Sequence, residues 1–152
     1  FRKYPEWCLD IYGEGDDYQM LLSESQKLGV QNFVHFRGYV KNVQEVMLKS
    51  SIYVLSSRHE AFPMVILEAM SCGLAIVSFN CPDGVGEMLA PDAGYLVDPE
   101  DVVGLRNALS EVMSNYSLRE KLAKNAQQKV LVYSEDNVYT LWCDLFQSLK
   151  KG

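Results

Sequence analysis

The chain predicts an α/β fold: a Rossmann-like, doubly wound parallel sheet with helices on both faces and further helices at the C-terminal end. Three observations carry that prediction. Short apolar runs alternate with segments of helical period, the order of a parallel sheet covered on both sides. The strand-like runs close at glycines or polar clusters, as connections do. Beyond residue 100 the strand pattern stops and amphipathic helical spacing takes over.

In order, Phe1-Arg2-Lys3-Tyr4-Pro5 reads as the tail of a helix entering a strand. Cys8-Leu9-Asp10-Ile11-Tyr12 is the first strand, ending at Gly13-Glu14-Gly15. Tyr18, Leu21, Leu22 and Leu28 place a helix over 16–28, with Gly29 as its stop. Phe33 to Phe36 is the second strand, closed by Gly38, and a short helix spans about 42–49. Ile52-Tyr53-Val54-Leu55 is a short, partly β-branched run suited to a buried strand. A polar loop follows, then a helix with Pro63 at its first position and Gly73 just past its end. Ala75 to Phe79 is the fourth strand, 84–89 a short helix and 94–97 the fifth strand. Helices follow over 101–115 (Val102, Leu105, Leu109, Val112, Met113), 118–132 (Leu122, Ala126, Val130) and 136–150. In the last, Val138, Leu141, Leu145 and Leu149 fit burial against this domain. Trp142 and Phe146 widen the apolar face enough for a second surface.

At 152 residues with 48% apolar and 22% charged residues, the chain has the bulk of one globular domain. A net charge of −6 without a Lys/Arg cluster excludes a nucleic-acid surface. No apolar run has the length of a membrane span, and the start lacks the apolar region of a signal peptide. The four cysteines, Cys8, Cys72, Cys81 and Cys143, form no C-x-x-C pair and read as reduced thiols, neither a disulfide frame nor a metal site. A cytoplasmic location is expected, peripheral to the membrane in the full-length protein.

The chemistry concentrates in the stretch from Ser56 to Gly73. A helix start offers unpaired backbone N–H groups and the positive end of the helix dipole, an anion site. A ligand phosphate on the amides of Met64 and Val65 would have a carboxylate on either side, Glu60 in the preceding loop and Glu68 about one turn inside the helix. Carboxylates repel phosphate, so their partners are hydroxyls, as on ribose and sugar rings. Apolar neighbours (Val65, Leu67, Ala69, Met70) predict a buried Glu68 that needs such donors. The pattern is that of a nucleotide-sugar site.

The run S-R-H-E-A-F-P-M-V-I-L-E-A-M-S-C-G (57–73) resembles the E-seven-E motif of family 4 retaining glycosyltransferases, whose fold is GT-B. L-D-I-Y-G-E-G, V-H-F-R-G-Y-V, N-C-P-D-G-V-G-E-M-L and A-G-Y-L-V resemble further segments of that family, in order. The resemblance runs from about Trp7 to the C-terminus. It implies the nucleotide-sugar-binding half of the enzyme, with the acceptor domain and the usual first strand lying outside this chain. By resemblance, Glu68 holds the ribose and Glu60 the hydroxyls of the transferred sugar. Phe62, Pro63, Met64 and Val65 form the helix start, Gly13 and Gly15 lie near the diphosphate or sugar, and Val40, with Tyr39 beside it, offers backbone to the nucleobase.

The strand-end loops at 13–15, 38–40, 58–60 and 80–84 lie on one edge of such a sheet, where they can converge on one crevice. Gly13-Glu14-Gly15 matches half of a dinucleotide fingerprint, but Tyr18 stands at the third glycine position, where it blocks close helix–strand packing and argues against NAD or FAD; glycines needed for a tight turn are the favoured reading. His59 is left out of the catalytic set. Asp83 and Glu87 are weaker ligand candidates, Glu87 being accounted for by the dipole of a helix start, and Gly84 is loop geometry. Ala61 stands where the family has glycine, so its methyl narrows the sugar pocket. The family's upstream Arg and Lys, which neutralise the diphosphate, are absent, and neither Arg58 nor Lys41 is assigned to replace them.

The expected function is transfer of a sugar from a nucleotide-diphosphate donor, UDP- first, to an acceptor hydroxyl with retention, in polysaccharide or glycoconjugate synthesis. The acceptor is a saccharide or lipid-linked molecule held by the other domain, so this chain alone would bind and not catalyse. No cofactor and no metal is expected. The alternatives are a nucleotide-sugar epimerase of GT-B architecture and a non-catalytic nucleotide-binding module.

Overall fold

The computed structural model describes residues 3–82 and 84–150, and the chain forms two compact units, Phe1–Val43 and Gln44–Gly152. In the first unit, β1 (Leu9–Tyr12) and β2 (Val34–Gly38) pair in parallel across α1 (Tyr18–Lys27). Asp10 faces His35 and Ile11 faces Phe36, and the register slips after Ile11 so that Tyr12 meets Gly38. The Tyr18 ring packs edge-on against Phe36 at 5.5 Å, joining helix to strand. These strands are less buried than their sequence suggests: Leu9, Asp10 and Tyr12 are exposed. The alternation of a strand sends Asp10 and His35 to the side opposite Ile11 and Phe36, and there His35 and Arg37 each meet Asp10 at 2.9 Å. Burial raises the Asp10 pKa, but the hydrogen bonds to His35 and Arg37 outweigh it and hold the carboxyl below its usual value.

The second unit follows α2 (Val43–Met47), which begins at the junction. It contains β3 (Ile52–Leu55), α3 (Met64–Ser71), β4 (Ala75–Phe79), α4 (Val85–Leu89) and β5 (Tyr95–Val97), then α5 (Val102–Ser114), α6 (Tyr116–Lys129) and α7 (Glu135–Leu149). The three strands form one parallel sheet in the order β3-β4-β5. All five residues of β4 are buried, and their alternation builds two cores. Ile76 joins Ile66 and Met70 of α3 with Met88 and Leu89 of α4. Ala75, Val77 and Phe79 join Ala108 and Val112 of α5. Helices therefore cover both faces, and α6 reaches both cores, through Leu122 and Ala126.

Local chemistry sets the element ends. Gly73 takes φ +72 to end α3, a conformation that strains any side chain, and an added Cβ would also meet Gln127. The Asp101 carboxylate accepts from Gly104 N–H to open α5, and Asn115 accepts from Leu118 N–H to open α6 two residues earlier than the sequence pattern suggests. After α6 the chain tightens into a 3-10 turn, Val130–Tyr133, before α7. No residue of α7 is buried, so the expectation that Val138, Leu141, Leu145 and Leu149 bury against this domain is corrected. Trp142 and Phe146 stack on each other at 5.7 Å on the same exposed helix. No helix among the described residues is long and apolar enough to cross a membrane.

Candidate functional site

The helix start at α3 is built by Pro63. Its φ of −76° and ψ of 79° are not helical, so it caps the helix and Met64 opens it. That moves the start one residue beyond the sequence reading. The same turn brings Phe62 C=O to Met64 N–H at 2.8 Å and Pro63 C=O to Ile66 N–H at 2.9 Å. Met64 N–H is thus occupied. Among the described residues no acceptor takes Val65 N–H, which remains as the open donor.

Glu60 is half-buried in the loop, whereas Glu68 is exposed, against the expectation of burial. The helical period explains it: Ile66, Ala69 and Met70 turn into the core, and position 68 falls on the opposite side. Burial first, then the charges of Glu60 and Glu68, push the Tyr53 pKa up to about 12. Burial and the Glu68 charge raise the Cys72 thiol as well. Tyr53 on β3 thus feels the charges of both carboxylates.

Beside the helix start lies a cavity of about 290 Å³, lined by Ala61, Phe62, Gly84, Glu87, Met88 and Tyr133. Ala61 is among the residues that line this cavity. The Phe62 ring, half exposed, meets the Tyr133 ring edge-on at 6.5 Å. Burial and then the Glu87 charge raise the Tyr133 hydroxyl above its usual value. Lys129 Nζ donates to Glu87 C=O at 2.7 Å and to Ala90 C=O, which ties α4 to α6. Asp83 lies outside the described residues. His59 is exposed, and Arg58 Nε stands 3.4 Å from a Glu100 carboxylate oxygen.

In the first unit the two glycine loops meet, with Gly13 N–H donating to Gly38 C=O at 2.9 Å. Gly13 has φ +129 and Gly15 has no such requirement, so the turn reading fits the first of the pair. Tyr39 is 75% exposed and Val40 half-buried. Cys8, Asp10 and His35 bring possible metal-ligand atoms within 4.8 Å of one another. The sequence spacing did not show this group, because strand pairing assembles it. Arg37 already occupies the Asp10 carboxylate there.

The family profile described as glycosyl transferases group 1 matches residues 1–129. The chain belongs to that family. Among group 1 glycosyl transferases, a protein from Haemophilus influenzae named "uncharacterized glycosyltransferase" is 29% identical over 142 residues, 93% of this chain and 40% of that protein. The poly(glycerol-phosphate) alpha-glucosyltransferase of Bacillus subtilis is 27% identical over 142 residues, 93% of this chain and 21% of its own length. The chain thus spans less than half of each relative. Anabaena HepE, solved in complex with UDP, superimposes with a TM-score of 0.83 at 24% identity, over 97% of this chain and 42% of HepE. That likeness establishes the GT-B-type fold of this group 1 chain, with parallel sheets and helices on both sides.

Proposed function

We propose that the chain is the donor-binding part of a retaining glycosyltransferase acting in polysaccharide or glycoconjugate synthesis. The observation that carries this reading is the open Val65 N–H at the start of α3, with Glu60 half-buried in the loop just before it and Glu68 exposed one turn inside the helix. An anion-seeking helix terminus flanked by hydroxyl-seeking carboxylates matches a nucleoside diphosphate linked to a sugar. Glu68, being exposed, accepts from ribose hydroxyls without first losing a buried partner. Glu60 orients the hydroxyls of the sugar. In the transfer, the bond from anomeric carbon to phosphate oxygen breaks, the acceptor oxygen bonds to that carbon on the same face, and the acceptor's proton leaves with the diphosphate. The developing phosphate charge is met by Val65 N–H and the α3 dipole, with no cofactor beyond the donor.

UDP is the first nucleotide to try, supported by the solved complex of HepE with UDP. The names of the relatives favour sugar transfer over epimerisation. Titration with UDP, GDP and ADP, followed by chemical shifts, tests the reading. Saturable binding of at least one is expected, with shifts at Val65 and Glu68. A folded sample that shows no shift with any of the three at millimolar concentration overturns it.

A further inference from the structure

In the first unit, strand pairing assembles a group of side chains that sugar transfer does not use. Leu9 N–H donates to Phe33 C=O at 2.8 Å, and one step along the ladder Asp10 on β1 stands opposite His35 on β2. Cys8 lies one residue before β1, and strand alternation gives it the side of Asp10. The helix α1 packs on the other side, through Tyr18 against Phe36. This side is accessible: Cys8 and Asp10 are exposed and His35 is half-buried.

The contacts of His35 do not close as hydrogen bonds. Its Nδ1 stands 2.9 Å from Asp10 Oδ1 and 3.3 Å from Arg37 Nη2. A proton on Nδ1 suits the carboxylate but points an N–H at the guanidinium, which only donates. Without that proton, Arg37 is satisfied and two acceptors face each other at 2.9 Å. A metal ion taking both lone pairs removes the conflict. Cys8 supplies a third donor, for possible ligand atoms of Cys8, Asp10 and His35 lie within 4.8 Å of one another. In a tetrahedral zinc site, bonds of about 2.0–2.3 Å set neighbouring ligands roughly 3.3–3.6 Å apart, a spacing that accessible side chains reach by turning. Among the described residues Cys8 Sγ has no hydrogen-bond partner. Arg37 Nε, 2.9 Å from Asp10 Oδ1, shows that the group already draws a cation. The Arg37 side chain is 48% exposed, so it has room to swing away.

We propose that Cys8, Asp10 and His35 form a zinc site that clips β1 to β2. Cys8 Sγ, Asp10 Oδ1 and His35 Nδ1 are the ligands and a water takes the fourth position. Binding releases the Cys8 thiol proton to water, leaves the His35 proton on Nε2 and displaces Arg37 from Asp10. Thiolate and imidazole select zinc over magnesium or calcium, which take oxygen ligands. The metal's role is structural, and the site stands independently of the nucleotide-sugar reading.

The test uses the full-length protein, freed of metal by a chelator, with Co²⁺ as a spectroscopic probe and Zn²⁺ as competitor. One equivalent of Co²⁺ gives a thiolate-to-metal charge-transfer band, which Zn²⁺ abolishes and Mg²⁺ leaves. The band is missing in C8S and kept in C72S and C143S. D10N and H35Q weaken binding at least about tenfold. R37Q, having lost the competing cation, binds roughly three- to tenfold tighter. In the wild type, Zn²⁺ moves the His35 ring resonances and raises Tm, a readout that needs no variant. No band in the wild type overturns the proposal. So does a band that survives C8S, which means adventitious binding to other thiols, or R37Q that binds no tighter. Unmoved His35 resonances at saturating Zn²⁺ overturn it as well.

Discussion

At the scale of single residues, two side chains around α3 make separable predictions. Glu68→Gln should weaken a nucleoside diphosphate by about ten- to a hundredfold, the worth of charge-assisted bonds to ribose, and leave inorganic pyrophosphate unaffected. Equal loss for both ligands, measured by titration, would make Glu68 structural. Tyr53 predicts a pH effect. Its hydroxyl is held neutral up to about 12 by burial and by the charges of Glu60 and Glu68. Because the folded pKa exceeds the unfolded value near 10, this contribution is complete below pH 10 and is lost between pH 10 and 12. The loss amounts to roughly 2 kcal/mol. Denaturant titrations over that window should show it in the wild type and much less of it in Tyr53→Phe. The sequence singled out Glu60 and Glu68 as candidates and misjudged the exposure of Glu68, because apolar neighbours in the chain are not neighbours in space. Ile66 and Met70 point inward while Glu68, between them, points out. The occupied Met64 N–H was not legible either, since it follows from the ψ of Pro63, which the ring leaves free.

Elements were easier to read where two independent signals agreed. β4 was legible to the residue, an apolar run between Gly73 and a polar loop, and α5 began one residue from its Asp101 cap. The predicted helix that opens at Leu118 begins instead at Tyr116, because the Asn115 side chain that fixes its start resembles many loop asparagines. Amphipathic spacing shows which face of a helix is apolar and never what covers it, and α7 is the instance. Its Leu141 is 66% exposed and its Leu149 69% exposed, so the face meets solvent in this chain. Iodide quenching of Trp142 should therefore be efficient at low protein concentration, and sedimentation should show whether a second copy shields it as concentration rises. A monomer with Trp142 protected would refute the two-surface reading of this helix. By contrast α3 is anchored: Ile66 is fully buried, and Ile66→Ala should cost about 2–5 kcal/mol in chemical denaturation. A loss near zero would mean that α3 is not part of the cooperative core.

For the whole molecule, 142 of the 152 residues match 40% of one relative and 21% of another, so binding and turnover are expected to separate. The isolated chain should bind a nucleoside diphosphate and release no glycoside from a nucleotide-sugar, while the full-length protein does both, as product analysis would show. Glycoside formed by the isolated chain would place all of the catalytic machinery within it. The division of the cores around β4 has a further consequence. Covered on both faces and hydrogen-bonded on both edges, this strand offers its amide protons no route to solvent short of opening the second unit as a whole. The loop beyond neighbouring β3, Ser56 to Phe62, has no such cover, whereas just past β4 Asn80 N–H still donates to Val97 C=O and Cys81 is still buried. Exchange with heavy water should therefore differ steeply, from seconds in the Ser56 to Phe62 loop to the global unfolding time at Val77. That loop is thus free to adjust while the strand beside it does not move, which suits the donor-binding role proposed above.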